Sequence, residues 1–215
     1  MAKPSWLTVN PTSGSGDGTI TNTGLEHTGR VLRTGTVTVT GDGVAGSKAY
    51  TVNQEPKPEF VELDNGASMS VSKEGGKVKV AGKSNSKALS FAFVGEAGGA
   101  EMAASYTAAG KSAANGSEIE GDPGAAAQYN FEVEVTVPEN TTVDAVARTV
   151  KVSNGGAVAA QIVLNQTAGD AFLNLDKETV TLPWEGTPAQ VVNVDSNTSW
   201  NVSQGDRPFH LGRRG

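Results

Sequence analysis

Short runs in which apolar and polar residues alternate recur along almost the whole chain, with turn residues between them. They are Thr36–Thr40, Lys77–Val80, Phe131–Val137, Thr149–Val152 and Gln190–Val194. Period-two alternation rich in Val and Thr is typical of half-buried antiparallel strands. Glycine-containing turns such as Gly41-Asp42-Gly43 separate the runs, because Gly reaches the positive φ that tight turns require. The pattern predicts an all-β fold made of β-sandwiches, without helices.

One stretch departs from this pattern. Residues 95–128 are rich in Ala, Gly and Ser and hold few large apolar side chains. Repeated glycines and Pro123-Gly124 interrupt any helix that the alanines could form. We expect a long insertion on the surface.

Two kinds of segment occur twice, and their order sets the organisation of the chain. Phe60–Asp64 resembles Phe172–Asp176, and each leads through a Glu-Gly turn to a Ser-Asn-Ser/Thr turn, at Ser84–Ser86 and at Ser196–Thr198. We call this segment a front half.

The second repeated segment starts at Arg33-Thr34 and at Arg148-Thr149. Each copy continues through a Gly turn and ends in Asn-Gln, at Gln54 and at Gln166. We call it a back half. The predicted units are a back half at 1–56, a complete sandwich at 57–169 with the insertion 95–128, a front half at 170–206, and a basic tail at 207–215.

An isolated half sandwich leaves sheet edges and an apolar face open, and two or three strands alone are marginal in water. Residues 5–55 therefore need residues 171–205, either from the same chain or from another copy. Exchange between copies predicts a homo-oligomer in the form of a ring, a filament or a reciprocal dimer. Closure within one chain, or truncated halves that have no partner, are the alternatives.

Composition excludes several kinds of chemistry. The 215 residues contain no Cys and two His, and the formal net charge is −6. His27 and His210 stand apart from any metal-binding spacing and are expected in solvent. We predict no catalytic residues, no cofactor and no metal, and neither a nucleic-acid nor a membrane partner. The protein is expected not to be an enzyme.

A family resemblance adds to these observations. Ser5–Gly18, with its Trp-Leu-Thr-Val core, resembles the middle of a BACON domain, and Ser196–Ser203 resembles the stretch that precedes that middle. Val52–Gln54 and Leu164–Gln166 resemble the terminal strand of such a domain. BACON domains are Bacteroidetes-associated, often carbohydrate-binding, immunoglobulin-like sandwiches, and they also occur in virion proteins of crAss-like phages. The resemblance implies tandem immunoglobulin-like β-sandwiches, one of them split between the two chain ends.

Two sets of residues are candidate contacts. Trp184, which follows Pro183 in a turn, could stack on a sugar, whereas Trp6 and Trp200 are expected in the sandwich core near the seam of the joined halves. The basic tail offers apolar and cationic groups for docking on a partner: Arg207, Phe209, Leu211, Arg213 and Arg214. A solvated tail is the alternative.

These features lead to two functional expectations. The first is a structural virion protein, an auxiliary, decoration or head-fibre protein on the capsid surface, assembled in the host cytoplasm and bound to the major capsid protein. Its support includes an N-terminus that reads as strand at Ser5–Val9 rather than as an export signal. The alternative is a carbohydrate- or mucin-binding module of a gut bacterial surface protein, with glycans as partners.

Overall fold

A computed structural model of the chain describes residues 4–205. These residues form sixteen strands and one short 3-10 helix at Pro123–Ala125. The strands are β1 Leu7–Asn10, β2 Thr21–Gly24, β3 Arg33–Thr40, β4 Ser47–Gln54, β5 Val61–Leu63, β6 Ser68–Val71, β7 Gly76–Ser84, β8 Ser90–Val94, β9 Glu101–Met102, β10 Ser105–Ala108, β11 Lys111–Ala114, β12 Tyr129–Val137, β13 Val146–Ser153, β14 Ala159–Gln166, β15 Leu173–Leu175 and β16 Val194–Ser196. The predicted all-β class is confirmed.

Residues 57–169, which we call the middle sandwich, contain two sheets with an apolar core between them. One sheet has the order β11-β10-β12-β7-β5, with β9 also paired to β12, and the other has the order β6-β14-β13-β8. The core takes side chains from both sheets: Val80, Phe91, Phe131, Val133, Val135, Val150, Val152, Ile162 and Leu164. All neighbouring strands run antiparallel except β6 and β14, which pair in parallel.

The sequence of β12 shows why the strands form here. Its alternate residues from Tyr129 to Val137 are buried, while the residues between them face outward or are half-buried. On the outer face Lys77 pairs with Glu134 and Lys79 with Glu132, each at 2.7 Å. The inner apolar face and the outer cross-strand ion pairs together fix the register with β7.

The stretch 95–128 differs from the surface insertion that the sequence predicts. It supplies β9, β10 and β11 to the larger sheet, and Tyr106, Ala108 and Ile119 are buried in the core. The Tyr106 hydroxyl accepts a hydrogen bond from Leu89 N at 3.0 Å, and burial raises the pKa of this phenol.

The remaining described residues form three separate strand pairs. Residues 4–55, the N-terminal half, fold into the hairpins β1-β2 and β3-β4. Residues 171–205, the C-terminal half, hold only the pair β15-β16. The strand predicted at Gln190–Val194 is not formed there, since β16 covers Val194–Ser196 instead. Among the described residues, no strand pair joins the N-terminal half to the C-terminal half.

Candidate assembly site

The N-terminal half contains an open cleft in which apolar side chains are partly exposed. A cleft of about 840 Å³ lies between β3 and the end of β1 with the loop that follows it; Thr, Ser, Gly and Asp make up most of its lining, and its apolar side chains include Val9, Ile20, Val37 and Val39. Ile20 and Val39 are 40% and 43% exposed. In a complete sandwich a second sheet would cover these side chains.

Trp6 packs against β3. The Arg33 guanidinium lies over its ring at 4.7 Å from the centroid, a cation–π contact. Gly35 allows the indole to approach β3, because a Cβ at this position would stand 3.2 Å from the ring. Trp6 is half-buried, and Leu7 beside it is fully buried.

The C-terminal half is more open still. Leu182 is 58% exposed, Val202 79% and Trp184 93%. Its order comes from β15-β16 and from Asp176, which accepts hydrogen bonds from Asn193 N and Asn193 Nδ2, both at 2.7 Å. The bond from the Asn193 backbone is the main reason why the pKa of Asp176 is lowered.

Each front half contains one asparagine, Asn85 or Asn197, whose side chain forms hydrogen bonds with the segment before it. The two sets of hydrogen bonds are alike. In the middle sandwich, Asn85 accepts from Phe60 N at 3.2 Å and donates to the Thr28 and Lys57 carbonyls, both at 3.2 Å. In the C-terminal half, Asn197 accepts from Phe172 N at 3.0 Å.

Asn197 also donates to the carbonyls of Thr141 and Asp170, at 2.9 and 2.8 Å. The serines before the two asparagines match as well, since Ser84 donates to Phe60 O at 2.7 Å and Ser196 to Phe172 O at 2.8 Å. The joint around Asn85 is therefore repeated around Asn197.

The residues that link the segments also form similar backbone hydrogen bonds at both places. Lys57 N donates to Gly29 O at 2.9 Å, and Gly169 N donates to Thr142 O at 2.7 Å. The N-terminal half thus meets the middle sandwich in the way that the middle sandwich meets the C-terminal half. We call these contacts joint 1, around Asn85, and joint 2, around Asn197.

Joint 1 has further contacts that make it firm. Arg30 forms ion pairs with Asp122 and Glu59, and its backbone N–H donates to Gly124 O at 3.0 Å. A Cβ on Gly124 would stand 2.0 Å from Asn85 O, so only glycine fits between these backbones. No sequence motif links Arg30 with Asp122, because the two residues lie far apart along the chain.

The two joints lie at opposite ends of the middle sandwich. Strands β7 and β12 pair from Gly76 opposite Val137 at one end to Ser84 opposite Tyr129 at the other. Asn85, in joint 1, directly follows Ser84. Joint 2 lies beyond the other end, where Asn140 N donates to Lys73 O at 2.7 Å. The nine residues of β7 span roughly 27–30 Å at about 3.3 Å per residue.

Positions that are core in the middle sandwich are open in the N-terminal half. Val37 opposes Tyr50 on β3-β4 as Val150 opposes Ile162 on β13-β14, and both hairpins end in Asn-Gln. Counted from the shared Asn-Gln end, this ladder register matches Val39 with Val152, two residues out of step with the Arg-Thr repeat at Arg33 and Arg148. Val39 is 43% exposed, whereas Val152 is 0% exposed.

The C-terminal half also exposes apolar side chains. Trp200 and Val202 alternate three and five residues after Asn197, one residue closer than Leu89 and Phe91, which alternate four and six residues after Asn85. Leu89 and Phe91 are 0% and 3% exposed, but Trp200 and Val202 are 49% and 79% exposed. The two halves together expose the apolar side chains that one sandwich would bury.

The candidate residues from the sequence fall in different places. Trp184 lies in the turn before Gly186, almost wholly in solvent, and Trp6 and Trp200 belong to the two halves without a strand pair or hydrogen bond between them in residues 4–205. His27 was expected in solvent, but it is 7% exposed and its Nε2 lies 2.7 Å from Val31 O. The tail residues Arg207, Phe209, Leu211, Arg213 and Arg214, together with His210, lie outside the described residues.

Two other kinds of site are absent from the described residues. Within residues 4–205 no helix has the length and apolar character that crossing a bilayer requires. The described part of the chain also holds no group of three or more His, Cys, Asp or Glu side chains placed to bind a metal ion.

Comparison with known proteins gives a family match for the N-terminal half. Residues 1–55 match the family model BACON, described as "Putative binding domain, N-terminal". This segment therefore carries a BACON domain signature, as its Trp-Leu-Thr-Val sequence predicts. No curated protein matches the chain.

Solved structures are similar only at a low level. Domains 4 and 5 of the S-layer protein SbsC align with 15% identity and a TM-score of 0.37, over 77% of this chain and 67% of that one. A protein from Bacteroides thetaiotaomicron aligns with 21% identity and a TM-score of 0.28, over 53% and 89% of the two chains. Human CDH23 EC21-23 aligns with 15% identity and a TM-score of 0.37, over 74% and 55%. Structural similarity at this level does not indicate a function.

Proposed function

We propose that this chain is a non-enzymatic structural protein that assembles head to tail, with residues 171–205 of one copy closing residues 5–55 of the next. The observation that carries the proposal is the open core of the two halves. Val39 and Val202 are exposed, while Val152, the ladder counterpart of Val39, is buried. Burial of apolar area is the main force that drives such an association.

The position of the joints favours a partner copy over closure within one chain. Joint 1 and joint 2 hold the two halves at opposite ends of the middle sandwich, roughly 27–30 Å apart along β7. The linker hydrogen bonds at Lys57 and Gly169 fix the exit of the chain at each end. For the halves to meet within one copy, at least one joint would have to open and lose these bonds.

The repeated joint also favours an open filament. Each copy would contribute one middle sandwich and one sandwich completed across the seam. Every neighbouring pair of sandwiches would then meet through the same asparagine contacts, so successive units would follow one geometric rule. A heterologous contact of this kind generates rings or filaments according to its rotation.

Light scattering coupled to size exclusion, over a hundredfold dilution, tests this proposal. Cross-chain completion predicts masses at multiples of 22.0 kDa, with the larger species declining as the protein is diluted. A constant mass near 22.0 kDa at all concentrations would contradict it.

We propose a virion as the setting: the surface of a phage capsid, with assembly in the host cytoplasm and attachment to the major capsid protein. The support is the resemblance of Ser5–Gly18 to BACON domains, which occur in phage virion proteins. Immunogold labelling of purified particles with an antibody against this chain tests the setting. Label on the capsid surface is expected, and particles without label would refute it.

A second candidate function is glycan binding, and Trp184 is the observation that favours it. Its side chain is 93% exposed, and aromatic rings with one face in water suit stacking on sugars. A mucin glycan array with the native chain and the W184A variant tests this candidate. Binding that W184A removes would support it, and signals equal for the two proteins would exclude Trp184 as the contact.

A further inference from the structure

Gln166 shows how a complete sandwich closes at joint 2. Its side chain is 1% exposed, and its Oε1 accepts a hydrogen bond from Arg148 at 2.8 Å. Its Nε2 lies within hydrogen-bond distance of three carbonyls, those of Pro138 at 2.8 Å and of Ser72 and Lys73 at 3.2 Å. Two of these carbonyls belong to the front half, so this amide links back half to front half.

Of the kinds of hydrogen bond that Gln166 makes, Gln54 makes only those that do not involve a front half. Its Oε1 accepts from Arg33 Nε at 3.0 Å, and its Nε2 donates to Leu25 O at 2.9 Å. Leu25 follows β2 as Pro138 follows β12. The side chain is half-buried, and no front-half carbonyl lies beside it.

The C-terminal half has counterparts to the carbonyls of Ser72 and Lys73, which Gln54 does not contact. Strand β6 pairs in parallel with β14, with Ser70 opposite Asn165 and Val71 opposite Gln166. Residues 179–182 read Thr-Val-Thr-Leu before a Glu-Gly turn, as residues 68–71 read Ser-Met-Ser-Val before the turn at Glu74-Gly75.

In this match the apolar residues Val180 and Leu182 replace Met69 and Val71. Val180 and Leu182 are 37% and 58% exposed, and residues 179–182 form no strand. The two carbonyls that follow Leu182 are those of Pro183 and Trp184.

We propose that Thr179–Leu182 of one copy adds as a parallel strand to β4 of the next copy, with Thr181 opposite Asn53 and Leu182 opposite Gln54. Gln54 Nε2 then donates to the carbonyls of Pro183 and Trp184 across the seam. The inference rests on the proposed function and adds its register and its central hydrogen-bonding side chain.

Engineered cysteines test the register, because the native chain has none. Asn53 and Thr181 both face away from the open interior, as do their counterparts Asn165 and Ser70, which are exposed. The double variant N53C/T181C is oxidised and run on a denaturing gel. The control S70C/N165C places the same pair inside the middle sandwich, and T51C/T181C shifts the register by two residues.

The proposed register predicts a covalent ladder from N53C/T181C, a cross-linked monomer from S70C/N165C, and much less ladder from T51C/T181C. A ladder that is stronger for T51C/T181C would overturn the register and leave the cross-chain assembly standing. Multiples of the chain mass in light scattering, without any ladder, would do the same. A cross-linked monomer from N53C/T181C would overturn the exchange between copies.

Substitution of Gln54 gives an independent readout. Q54A removes the cross-seam donor and is expected to weaken chain association roughly 10-fold, measured by dilution in light scattering. The neighbouring N53A, on the outer face of the same strand, is the matched control and is expected to leave association unchanged. Equal association of Q54A and N53A would refute the role of Gln54.

Discussion

Asn85 and Asn197 make the same hydrogen bonds at two successive joints of the chain. Each accepts from the backbone N–H of a phenylalanine, Phe60 or Phe172, and each donates to the carbonyl of a loop in the preceding segment, at Thr28 or Thr141. The same hydrogen bonds therefore connect the N-terminal half to the middle sandwich and the middle sandwich to the C-terminal half. This repeat supports the proposal that a partner copy completes the two open halves.

The two asparagines differ in burial, and this difference leads to the first prediction. Asn85 is 0% exposed, so N85A would leave the carbonyls of Thr28 and Lys57 without a donor. A buried polar group without its partner costs about 1–3 kcal/mol, and we expect a loss of that size in the free energy of unfolding. Chemical denaturation monitored by circular dichroism measures it.

N197A is the matched control, because Asn197 lies in the open C-terminal half. At concentrations where the chain is a monomer, N197A is expected to change the unfolding free energy by less than about 0.5 kcal/mol. Equal losses for the two variants would contradict the assignment of joint 1 as the buried joint.

Core positions of the middle sandwich and of the split sandwich should respond differently to concentration. Leu164 is 0% exposed, and L164A is expected to cost about 2–5 kcal/mol at every protein concentration. Val52 is half-buried on the corresponding strand, so V52A should cost little in the monomer and more in the assembled state. Thermal denaturation at two concentrations, a hundredfold apart, separates these cases, and a concentration-independent effect of V52A would count against cross-chain burial.

Gly124 permits the close packing of joint 1. A Cβ at this position would stand 2.0 Å from Asn85 O, and overpacking of this kind costs about 1–3 kcal/mol. G124A is therefore expected to destabilise the middle sandwich in urea denaturation. G18A is the control, since nothing lies within 4 Å of a Cβ there, and a G124A variant as stable as G18A would show that the joint is looser than described.

The pairing of β15 with β16 should weaken in acid. The pKa of Asp176 is lowered because Asn193 donates hydrogen bonds to its carboxylate, so folding favours the ionised form. Its contribution to stability is present above the unfolded pKa, about 3.9, and is lost as the pH falls through the lower folded value. Amide signals of Asn193 in an NMR pH titration should follow this loss in the native chain and not in D176N, and signals that respond alike in both would contradict it.

The sequence predicts the strands that find partners within the chain. Alternation in Thr36–Thr40, Lys77–Val80, Phe131–Val137 and Thr149–Val152 corresponds to β3, β7, β12 and β13, because in each case a neighbouring strand supplies hydrogen bonds. Gln190–Val194 alternates equally well but remains outside a strand except at Val194. A strand pattern is realised only where a ladder partner is present.

Other features of the structure could not be predicted from the sequence, for identifiable reasons. The stretch 95–128 lacks large apolar residues and so resembles a loop, yet Tyr106 and Ile119 anchor it in the core. Burial of His27 and the ion pair of Arg30 with Asp122 depend on contacts between residues far apart in the chain. Local pattern carries no information about such contacts. The repeated Ser-Asn turns, by contrast, are visible in the sequence, and both lie at the joints.

Mixing two blocked variants tests cross-chain completion most directly. V39D places a charge on the open face of the N-terminal half and V202D on that of the C-terminal half, so each variant keeps one functional half. The controls T38D and N201D place the same charge on a neighbouring residue of the same segment. Completion between copies predicts that each blocked variant alone stays near 22.0 kDa and that their mixture forms a species of twice that mass by light scattering. A mixture that remains monomeric, while the controls assemble like the native chain, would contradict the account.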